Sequence, residues 1–455
     1  MTNYSIVILK VWLLLIIRFL NKKYKFNLSS IKVFIIVLVI TLIINPFYIY
    51  NKGFIYSYYI SLIIILNKNI IKGTYLKRLL IISSIIFLFC IPLNIYFNYY
   101  INIFSIVYNI FYMIIFNFII IPLALLILII KPLDLVFYSL ITLLNNLSFS
   151  LNKISFCIFS FKKINIFILL LYLISFIYLI KKISTNKKYT IIIILILVTH
   201  YYINYIFIDN YVLFLNVKQG DSTLLNINNN SLLIDSGGLY NSDLGDNLII
   251  TFRSLGLKKI NYFVVTHGDF DHMGEAINLV NNFKVEKVIF NCGPYNDLEK
   301  ELIKVLDKKK IKYYSCIKEL NIDNNKLYFL QTKEYDNEND NSNVIYTELN
   351  GYKFMFMGDA STTTEKEILN KYNLQDIDVL KVGHHGSKTS SSKEFIDDIN
   401  PKYSVISVGK NNRYGHPNKE VLNNLKESKI YRTDQDGSIM FKIKNNKLKI
   451  ETCSP

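Results

Sequence analysis

The sequence predicts a multi-pass α-helical membrane domain followed by an α/β domain in which strands and helices alternate. Long apolar runs with short basic loops fill residues 1–208, and several reach the roughly 20 residues that a helix needs to cross a bilayer. Short β-rich runs separated by helical periodicity fill residues 209–455, which is typical of a layered α/β domain. The length of 455 residues also exceeds that of one ordinary domain.

Six apolar runs in the first part are clear candidates for membrane spans, and two more are ambiguous. The clear runs are residues 4–20, 33–50, 79–97, 103–130, 164–180 and 189–208, and the ambiguous ones are 54–66 and 133–161. The first ambiguous run is short, and the second is interrupted by several asparagines and Lys153. The sequence therefore predicts a polytopic membrane domain of six to eight helices over residues 1–208.

Charge is divided unevenly between the two parts. Residues 1–208 carry 19 Lys and Arg and a single acid, Asp134, whereas residues 209–455 carry 32 Lys and Arg against 33 Asp and Glu. The net charge of +17 is therefore no sign of nucleic-acid binding. If all eight runs cross, the two alternate sets of loops hold 13 and 4 basic residues, which predicts an extracytoplasmic second domain. One crossing fewer would reverse that orientation.

Cysteine usage excludes two classes of small domain. The five cysteines are Cys90, Cys157, Cys292, Cys316 and Cys453. Their odd number and the lack of a CxxC pair exclude a zinc ribbon or a disulfide scaffold. Cys292 and Cys316 could form a bridge if their domain lies outside the cytoplasm.

Strand and helix signals alternate through the second part. The predicted strands are residues 211–217, 222–227, 231–234, 262–265, 287–290, 326–329, 344–349, 354–357, 379–382, 403–407 and 439–443. The predicted helices are residues 275–283, 297–309, 364–369, 393–399 and 419–426. This pattern predicts strands and helices arranged in layers.

Five of the six histidines lie in three short segments that each follow a predicted strand. The segments are His-Gly-Asp-Phe-Asp-His at 267–272, Gly-His-His-Gly-Ser at 383–387 and Tyr-Gly-His-Pro at 414–417. A further segment, Met-Gly-Asp, ends a strand with the carboxylate of Asp359. Imidazoles and carboxylates concentrated at strand ends indicate a metal site.

The spacing of these residues predicts two divalent ions. His267 and Asp269 are placed to chelate one ion, and Asp271 and His272 a second. Asp359 is predicted to bridge the two ions, and His384 to complete the second site. Two ions roughly 3.5 to 4 Å apart clamp a phosphoryl group and activate water. Mixed imidazole and carboxylate ligands suit Zn²⁺ or Mn²⁺.

The order of these segments resembles the metallo-β-lactamase fold in the form carried by the ComEC/Rec2 family of competence proteins, which take up transforming DNA. Residues 216–222 are similar to that family's opening segment, with Lys218 where a Gly is usual, and residues 233–238 to the strand and turn that follow. The similarity covers residues 211–443 and reaches Asn45-Pro46 and Pro92 in the membrane part. It implies an αββα sandwich.

The resemblance also implies roles for individual residues. Carried over by position, the metal ligands are His267, Asp269, Asp271, His272, Asp359 and His384. The residues implied in catalysis are His385, His416 and Asp271, and those implied in substrate binding are Ser387, Asn412 and Tyr414. Asp269 stands where most relatives of this fold have His, which favours Mn²⁺.

The resulting functional hypothesis is an integral membrane protein of the cell membrane that takes part in DNA uptake. Its nuclease domain is expected to degrade the strand that is not transported. One alternative is a membrane-anchored hydrolase of another phosphodiester, such as a cell-wall phosphodiester, and another is a non-catalytic membrane channel component. Family members are usually longer, with more helices and an OB-type domain, so a separately encoded competence protein, or decay of the gene, could account for that part.

Overall fold

The computed structural model describes residues 6–152, 158–183, 188–206, 209–240, 242–330, 335–444 and 447–453. The chain divides into two compact units, Met1–Tyr201 and Tyr202–Pro455. Cys157 and Lys153 lie outside the described ranges.

The first unit is built of apolar helices. They are α1 Ile6–Lys23, α2 Ser30–Ile44, α3 Lys52–Leu66, α4 Tyr75–Phe97, α5 Ser105–Ile115, α6 Ile121–Ile127, α7 Asp134–Asn152, α8 Ile166–Ile183 and α9 Tyr189–Tyr201. A π-helical turn, Phe116–Ile120, joins α5 to α6. Two short strands, β1 Tyr100–Asn102 and β2 Ile158–Ser160, pair antiparallel. Polar caps set several helix starts: the side chain of Ser29 accepts from Lys32 N, and that of Asn51 from Phe54 N.

Within the described part of the chain, two helical segments are long and apolar enough to cross a membrane. These are Tyr75–Phe97 and Ser105–Ile127, judged by length and composition only. Ser30–Ile44, Lys52–Leu66 and Tyr189–Tyr201 are apolar but shorter. The helical, apolar character of the first unit is therefore confirmed. The number of membrane crossings remains a prediction.

The second unit begins with the short helix α10 Ile203–Ile206 and contains two β-sheets. The strands of the first sheet, in spatial order, are β17 Lys447–Thr452, β16 Ile439–Lys444, β3 Asn210–Phe214, β4 Thr223–Ile227, β5 Asn230–Ile234, β6 Ile260–Val264, β7 Val285–Phe290 and β8 Lys312–Ser315. Those of the second are β15 Lys429–Arg432, β14 Tyr403–Ile406, β13 Val379–Lys381, β12 Tyr352–Phe356, β11 Ile345–Leu349, β10 Asn325–Phe329 and β9 Glu319–Ile322.

The two sheets enclose one core, and helices cover their outer faces. Side chains from both sheets fill the space between them, including the fully buried Phe214, Phe354 and Phe441. The helices of this unit are α11 Leu244–Ser254, α12 Phe270–Met273, α13 Ala276–Asn282, α14 Asp297–Lys309, α15 Thr362–Lys371, α16 Lys393–Ile399, α17 Lys419–Asn424 and α18 Thr433–Asp436. Separate apolar clusters join α11, α13 and α14 to the first sheet and α15 to α17 to the second. The predicted αββα sandwich is confirmed.

In the second unit, the four strands that the sequence did not predict are the four sheet edges, β8, β9, β15 and β17. Every residue of β8 is exposed, and β15 and β17 have no fully buried residue. Edge strands often carry lysines and polar side chains because one of their sides is unpaired. They therefore lack the apolar alternation that identifies inner strands.

The carboxyl ends of the parallel strands place the candidate site. Strands β5, β6 and β7 run parallel in one sheet, and β12, β13 and β14 run parallel in the other. The loops that follow β5, β6, β12, β13 and β14 contain the histidine and aspartate segments. Close packing of these loops requires glycine, because a Cβ at Gly238 would collide with the carbonyl oxygen of Phe270, and one at Gly220 with that of Asp271.

Candidate metal centre

The core of the site is a buried cluster of His267, His272 and Asp359. One ligand atom from each of these residues lies within 4.8 Å of the others. Nε2 of His272 is 3.2 Å from Oδ1 of Asp359, and Nε2 of His267 is 3.5 Å from Oδ2 of Asp269. His267 Nε2, His272 Nε2 and Asp359 Oδ1 are buried without a hydrogen-bond partner. Buried polar atoms normally have partners, so this donor set fits a cation.

Outer partners fix the orientation of both rings. Asp235 lies 2.8 Å from Nδ1 of His272 through its Oδ2, and the same carboxylate accepts from Thr266. The hydroxyl of Ser342 lies 3.2 Å from Nδ1 of His267 and accepts from the backbone N of Asp359. Ser342 lies in the loop just before strand β11. A serine there holds two ligand candidates in place from outside the cluster.

A second group of donors lies beside the first. Asp271, His272 and His385 offer ligand atoms within 4.8 Å of one another, and His385 Nε2 is 3.1 Å from Oδ2 of Asp271. Nε2 of His384 is 3.6 Å from Oδ2 of Asp359. Both imidazoles of the His-His pair therefore face this second position. Their Nδ1 atoms lie 3.0 Å from the backbone oxygen of Ser407, for His385, and 3.0 Å from Thr389 Oγ1, for His384.

A buried ion pair lies next to this second group. Nζ of Lys381 is 2.8 Å from Oδ2 of Asp221, and only 2% of Lys381 and 4% of Asp221 are exposed. The other carboxylate oxygen of Asp221 is 3.4 Å from Nδ1 of His385. Lys381 thus supplies a positive charge beside a carboxylate that is shielded from solvent.

The charges of the cluster shift its pKa values strongly. Burial disfavours a charged His272, but Asp359 and Asp235 outweigh it and raise the pKa of His272 well above its usual range. Burial likewise opposes a charged His385, yet Asp359 and Asp221 raise its pKa to about 10. Burial alone would raise the carboxyl pKa of Asp359, but His272 and His385 outweigh it and hold that pKa well below its usual range. Without metal, protons on imidazoles balance the carboxylates, and a bound cation would displace them.

The backbone of the loop between His267 and Asp269 is held from both sides. Gly268 N donates to Oε1 of Glu338 at 3.0 Å, and Gly268 O accepts from the side-chain amide of Asn296 at 2.7 Å. Asn296 forms a capping box with Glu299 at the start of α14. Burial raises the pKa of Glu299 to about 7. The carboxylate-rich surroundings therefore extend beyond the candidate ligands.

The predicted substrate residues lie at the rim of the site. Ring centroids of His416 and His384 are 6.0 Å apart, and Tyr414 stacks on His416. The amide of Asn412 bonds to the backbone of Gly409, Tyr414 and His416, so it shapes their loop. Ser387 is buried, and its hydroxyl accepts from Thr389. The catalytic, ligand and substrate roles assigned to these residues remain predictions.

Sequence reasoning missed several members of the site. Asp221, Asp235 and Lys381 are buried around the candidate ligands, but none had been singled out as a site residue. For the two aspartates, the available signal was position. Asp235 directly follows a strand, and Asp221 lies in the polar segment between two strands. Lys381 gave no such signal, because it is the last residue of the apolar strand β13.

Comparison with known proteins assigns a family to each part of the chain. Residues 1–185 match the family described as Competence protein, and residues 215–410 match the Metallo-beta-lactamase superfamily. The chain is 28% identical to ComE operon protein 3 of Bacillus subtilis over 444 residues, which are 90% of this chain and 57% of that protein. Both parts of the chain are thus similar to the ComEC/Rec2 family of competence proteins. The resemblance inferred from the sequence is thereby confirmed.

Two further relatives each match about half of this chain. Competence protein ComA of Neisseria gonorrhoeae is 30% identical over 49% of this chain and 31% of its own length. Recombination protein 2 of Haemophilus influenzae is 24% identical over 52% of this chain and 29% of its own length. The chain therefore spans between 29% and 57% of the length of these three relatives.

Two solved structures, one of them described as a metallo-β-lactamase fold protein, are also similar to part of the chain. The fold protein YhfI from Bacillus subtilis matches with a TM-score of 0.36 and 12% identity, over 51% of this chain and 99% of that one. A metallo hydrolase from Ignicoccus hospitalis matches with a TM-score of 0.34 and 14% identity, over 51% of this chain and 100% of that one. A domain of this superfamily is expected to bind divalent metal.

Proposed function

We propose that the chain is an integral membrane competence protein whose second unit hydrolyses DNA phosphodiester bonds during uptake, degrading the strand that is not transported. One observation carries the hydrolytic part. In His267, His272, His384 and His385, Nδ1 lies beside an outer partner and Nε2 faces a carboxylate of the cluster. Metal-ligating histidines show this arrangement.

The charge of the cluster supports two divalent ions. Five aspartates, Asp221, Asp235, Asp269, Asp271 and Asp359, surround the site, and Lys381 is the lysine paired with them among the described residues. Four negative charges remain, which two divalent ions would balance. His267, Asp269 and Asp359 would hold one ion, and Asp271, His272 and His384 would hold the other, while His385 lies beside the second group. Such ligands suit Mn²⁺ or Zn²⁺.

Residues of the chain supply orientation and proton transfer. Divalent ions bound in the cluster would polarise a phosphoryl oxygen and make water nucleophilic near neutral pH. Burial, together with His385 and His384, lowers the pKa of His416. Its imidazole is therefore mostly neutral near neutral pH, which suits accepting a proton or donating a hydrogen bond to the phosphate. Asn412 holds the loop that presents His416 and Tyr414 at the rim.

The surface of the first unit supports integration in the cell membrane. Large apolar side chains are widely exposed there, for example Ile43 at 77%, Leu128 at 79% and Ile129 at 82%. Apolar exposure on this scale is rare on soluble proteins and marks contact with a membrane or a partner. The family assignment of residues 1–185 favours a membrane.

The proposed orientation places the second unit outside the cytoplasm. A disulfide joins Cys292 to Cys316, and disulfides persist mainly in oxidising compartments. The distribution of basic loops in the first part favours the same side. DNA would then meet the metal centre on the outer face, and other competence proteins are proposed to supply further steps of uptake.

The test uses the full-length chain in detergent, stripped of metal and then supplied with Mn²⁺ or Zn²⁺. Labelled single- and double-stranded DNA are the substrates, beside Asp359→Ala, His267→Ala and the exposed control Asp307→Ala. We expect metal-dependent cleavage in wild type and control, with loss of roughly 100-fold or more in the two site variants. A folded, metal-loaded protein that leaves DNA intact would refute the proposal and turn attention to other phosphodiesters.

A further inference from the structure

An exposed tyrosine lies flat against the segment of residues 267–272, the metal loop. Tyr240 is 77% exposed, yet its ring is parallel to that of Phe270, with centroids 4.0 Å apart and an interplanar angle of 4°. Phe270 lies between Asp269 and Asp271, two of the proposed ligands. One face of the tyrosine ring is thus held on the metal loop, while its large exposure leaves the other face open to solvent.

The position of this ring is fixed by the loop after β5. At the start of this loop, the backbone N of Asp235 donates to the carbonyl oxygen of Val264. The next residue, Ser236, donates through its backbone N to His272 O at 2.7 Å. Gly238 lies directly against the carbonyl of Phe270, where a side chain would collide. The loop therefore follows the metal loop closely before it reaches Tyr240. A ring anchored in this way needs little ordering when a ligand binds.

Core packing does not account for Tyr240. It belongs to none of the apolar clusters of the second unit, and its exposure means that it buries little surface. A tyrosine ring held parallel to a second ring beside a metal centre has the geometry of a platform for another flat ring.

The loop that carries His416 has matching chemistry. Tyr414 is 54% exposed, stacks on His416 with an angle of 14° between the rings, and is approached by Arg413. Lys218 and Lys410 are exposed on two loops that touch through the bond from Gly409 N to Gln219. Aromatic faces with lysine and arginine around them are typical of surfaces that bind single-stranded nucleic acid, which combine stacking with phosphate contacts.

We propose that Tyr240, supported by Phe270, stacks on an unpaired nucleobase of the strand whose phosphate is cut at the metal centre. This inference rests on the proposed DNA hydrolysis and names the form of DNA that the site accepts. A base within a duplex is already stacked on both faces, so the platform is available to single strands and frayed ends. Stacking is sequence-tolerant, because every base has a flat face.

The first test compares Tyr240→Ala, Tyr240→Phe and the control Tyr314→Ala in the full-length protein. Tyr314 is an exposed tyrosine, 46% accessible, on the edge strand β8. The substrates are labelled oligodeoxythymidylate and a fully abasic diester of the same length, which has the phosphates but no flat ring. We expect Tyr240→Ala to lower kcat/KM on the oligonucleotide roughly 10-fold more than on the diester. Phe should substitute for Tyr, and Tyr314→Ala should match wild type.

The second test locates the stacked base. A set of oligonucleotides, each with one abasic position, is assayed with wild type and Tyr240→Ala. One abasic position near the cleaved bond should lower kcat/KM of wild type roughly 10-fold. The same position should leave kcat/KM of Tyr240→Ala almost unchanged, since that variant has already lost the contact.

The outcomes separate this inference from the proposed function. Wild type that cleaves no DNA refutes both. Wild type that cleaves DNA, with Tyr240→Ala equally active on the oligonucleotide, refutes the stacking role and leaves the nuclease intact. Equal losses on both substrates would also refute it, because they would show damage to the metal loop instead of loss of a base contact.

Discussion

Replacing Lys381 by methionine tests the buried charge balance of the metal centre. The side chain of Lys381 is 3% exposed and its Nζ is 2.8 Å from Asp221. Methionine fills similar space but removes the cation beside Oδ2 of Asp221, which leaves His385 as the basic group next to that buried carboxylate. Breaking one partner of a buried pair costs about 3 to 5 kcal/mol. With a slope of about 3 kcal/mol per molar urea, the unfolding midpoint of the second unit should fall by about 1 to 2 M.

Pulse proteolysis in urea measures this midpoint on the full-length protein, kept in EDTA so that no cation replaces the lysine. The matched control is Lys259→Met, because Lys259 and Glu286 are also 2.8 Å apart but their side chains are 38% and 31% exposed. Exposed pairs contribute about 0 to 1 kcal/mol. A shift for Lys381→Met no larger than that of the control would refute the reasoning. Adding Asp221→Leu should recover part of the loss, since the unpaired charge is then removed.

Three further outcomes are expected. Asp235→Asn removes the charged partner of His272 Nδ1, so Mn²⁺ affinity measured by calorimetric titration should fall about 10- to 100-fold. Burial raises the pKa of Glu299 to about 7, so metal-free wild type should lose stability as pH rises from about 4.5 to 7, by about 3 kcal/mol at most. Glu299→Gln should lack that loss when pulse proteolysis is repeated across this pH range. Mass spectrometry should find Cys292 and Cys316 alkylated only after reduction.

Patterning predicted the inner strands and the metal segments because each has a local signal. Buried strands read as apolar runs, and the segment from His267 to His272 places four potential ligands within six residues. The order of segments also predicted that ligands from distant loops would meet, and the structure brings His267, His272 and Asp359 together. These features depend on residue type and chain order alone.

The remaining features depend on which strands become neighbours. Lys381 contacts Asp221 across two different sheets, and a single sequence does not specify this pairing. Tyr240 gives no periodic signal, since it acts through stacking on Phe270 and not through burial. Lys218, which departs from the family's usual Gly, adopts a φ of 65°. That left-handed backbone is easy for glycine, so the turn is kept despite the substitution.

The pairing of β3 with β16 sets a time order for folding. Phe214 lies opposite Ile439, so the first strand of the second unit is flanked by a strand that is synthesised much later. A ribosome-bound chain that has reached β15 already carries every proposed ligand, yet β3 still has an open side. Such long-range pairing is slow, and an open strand edge invites aggregation. Completion of β16 and β17 therefore governs when this unit can mature, and a C-terminal tag must leave that hairpin free to close.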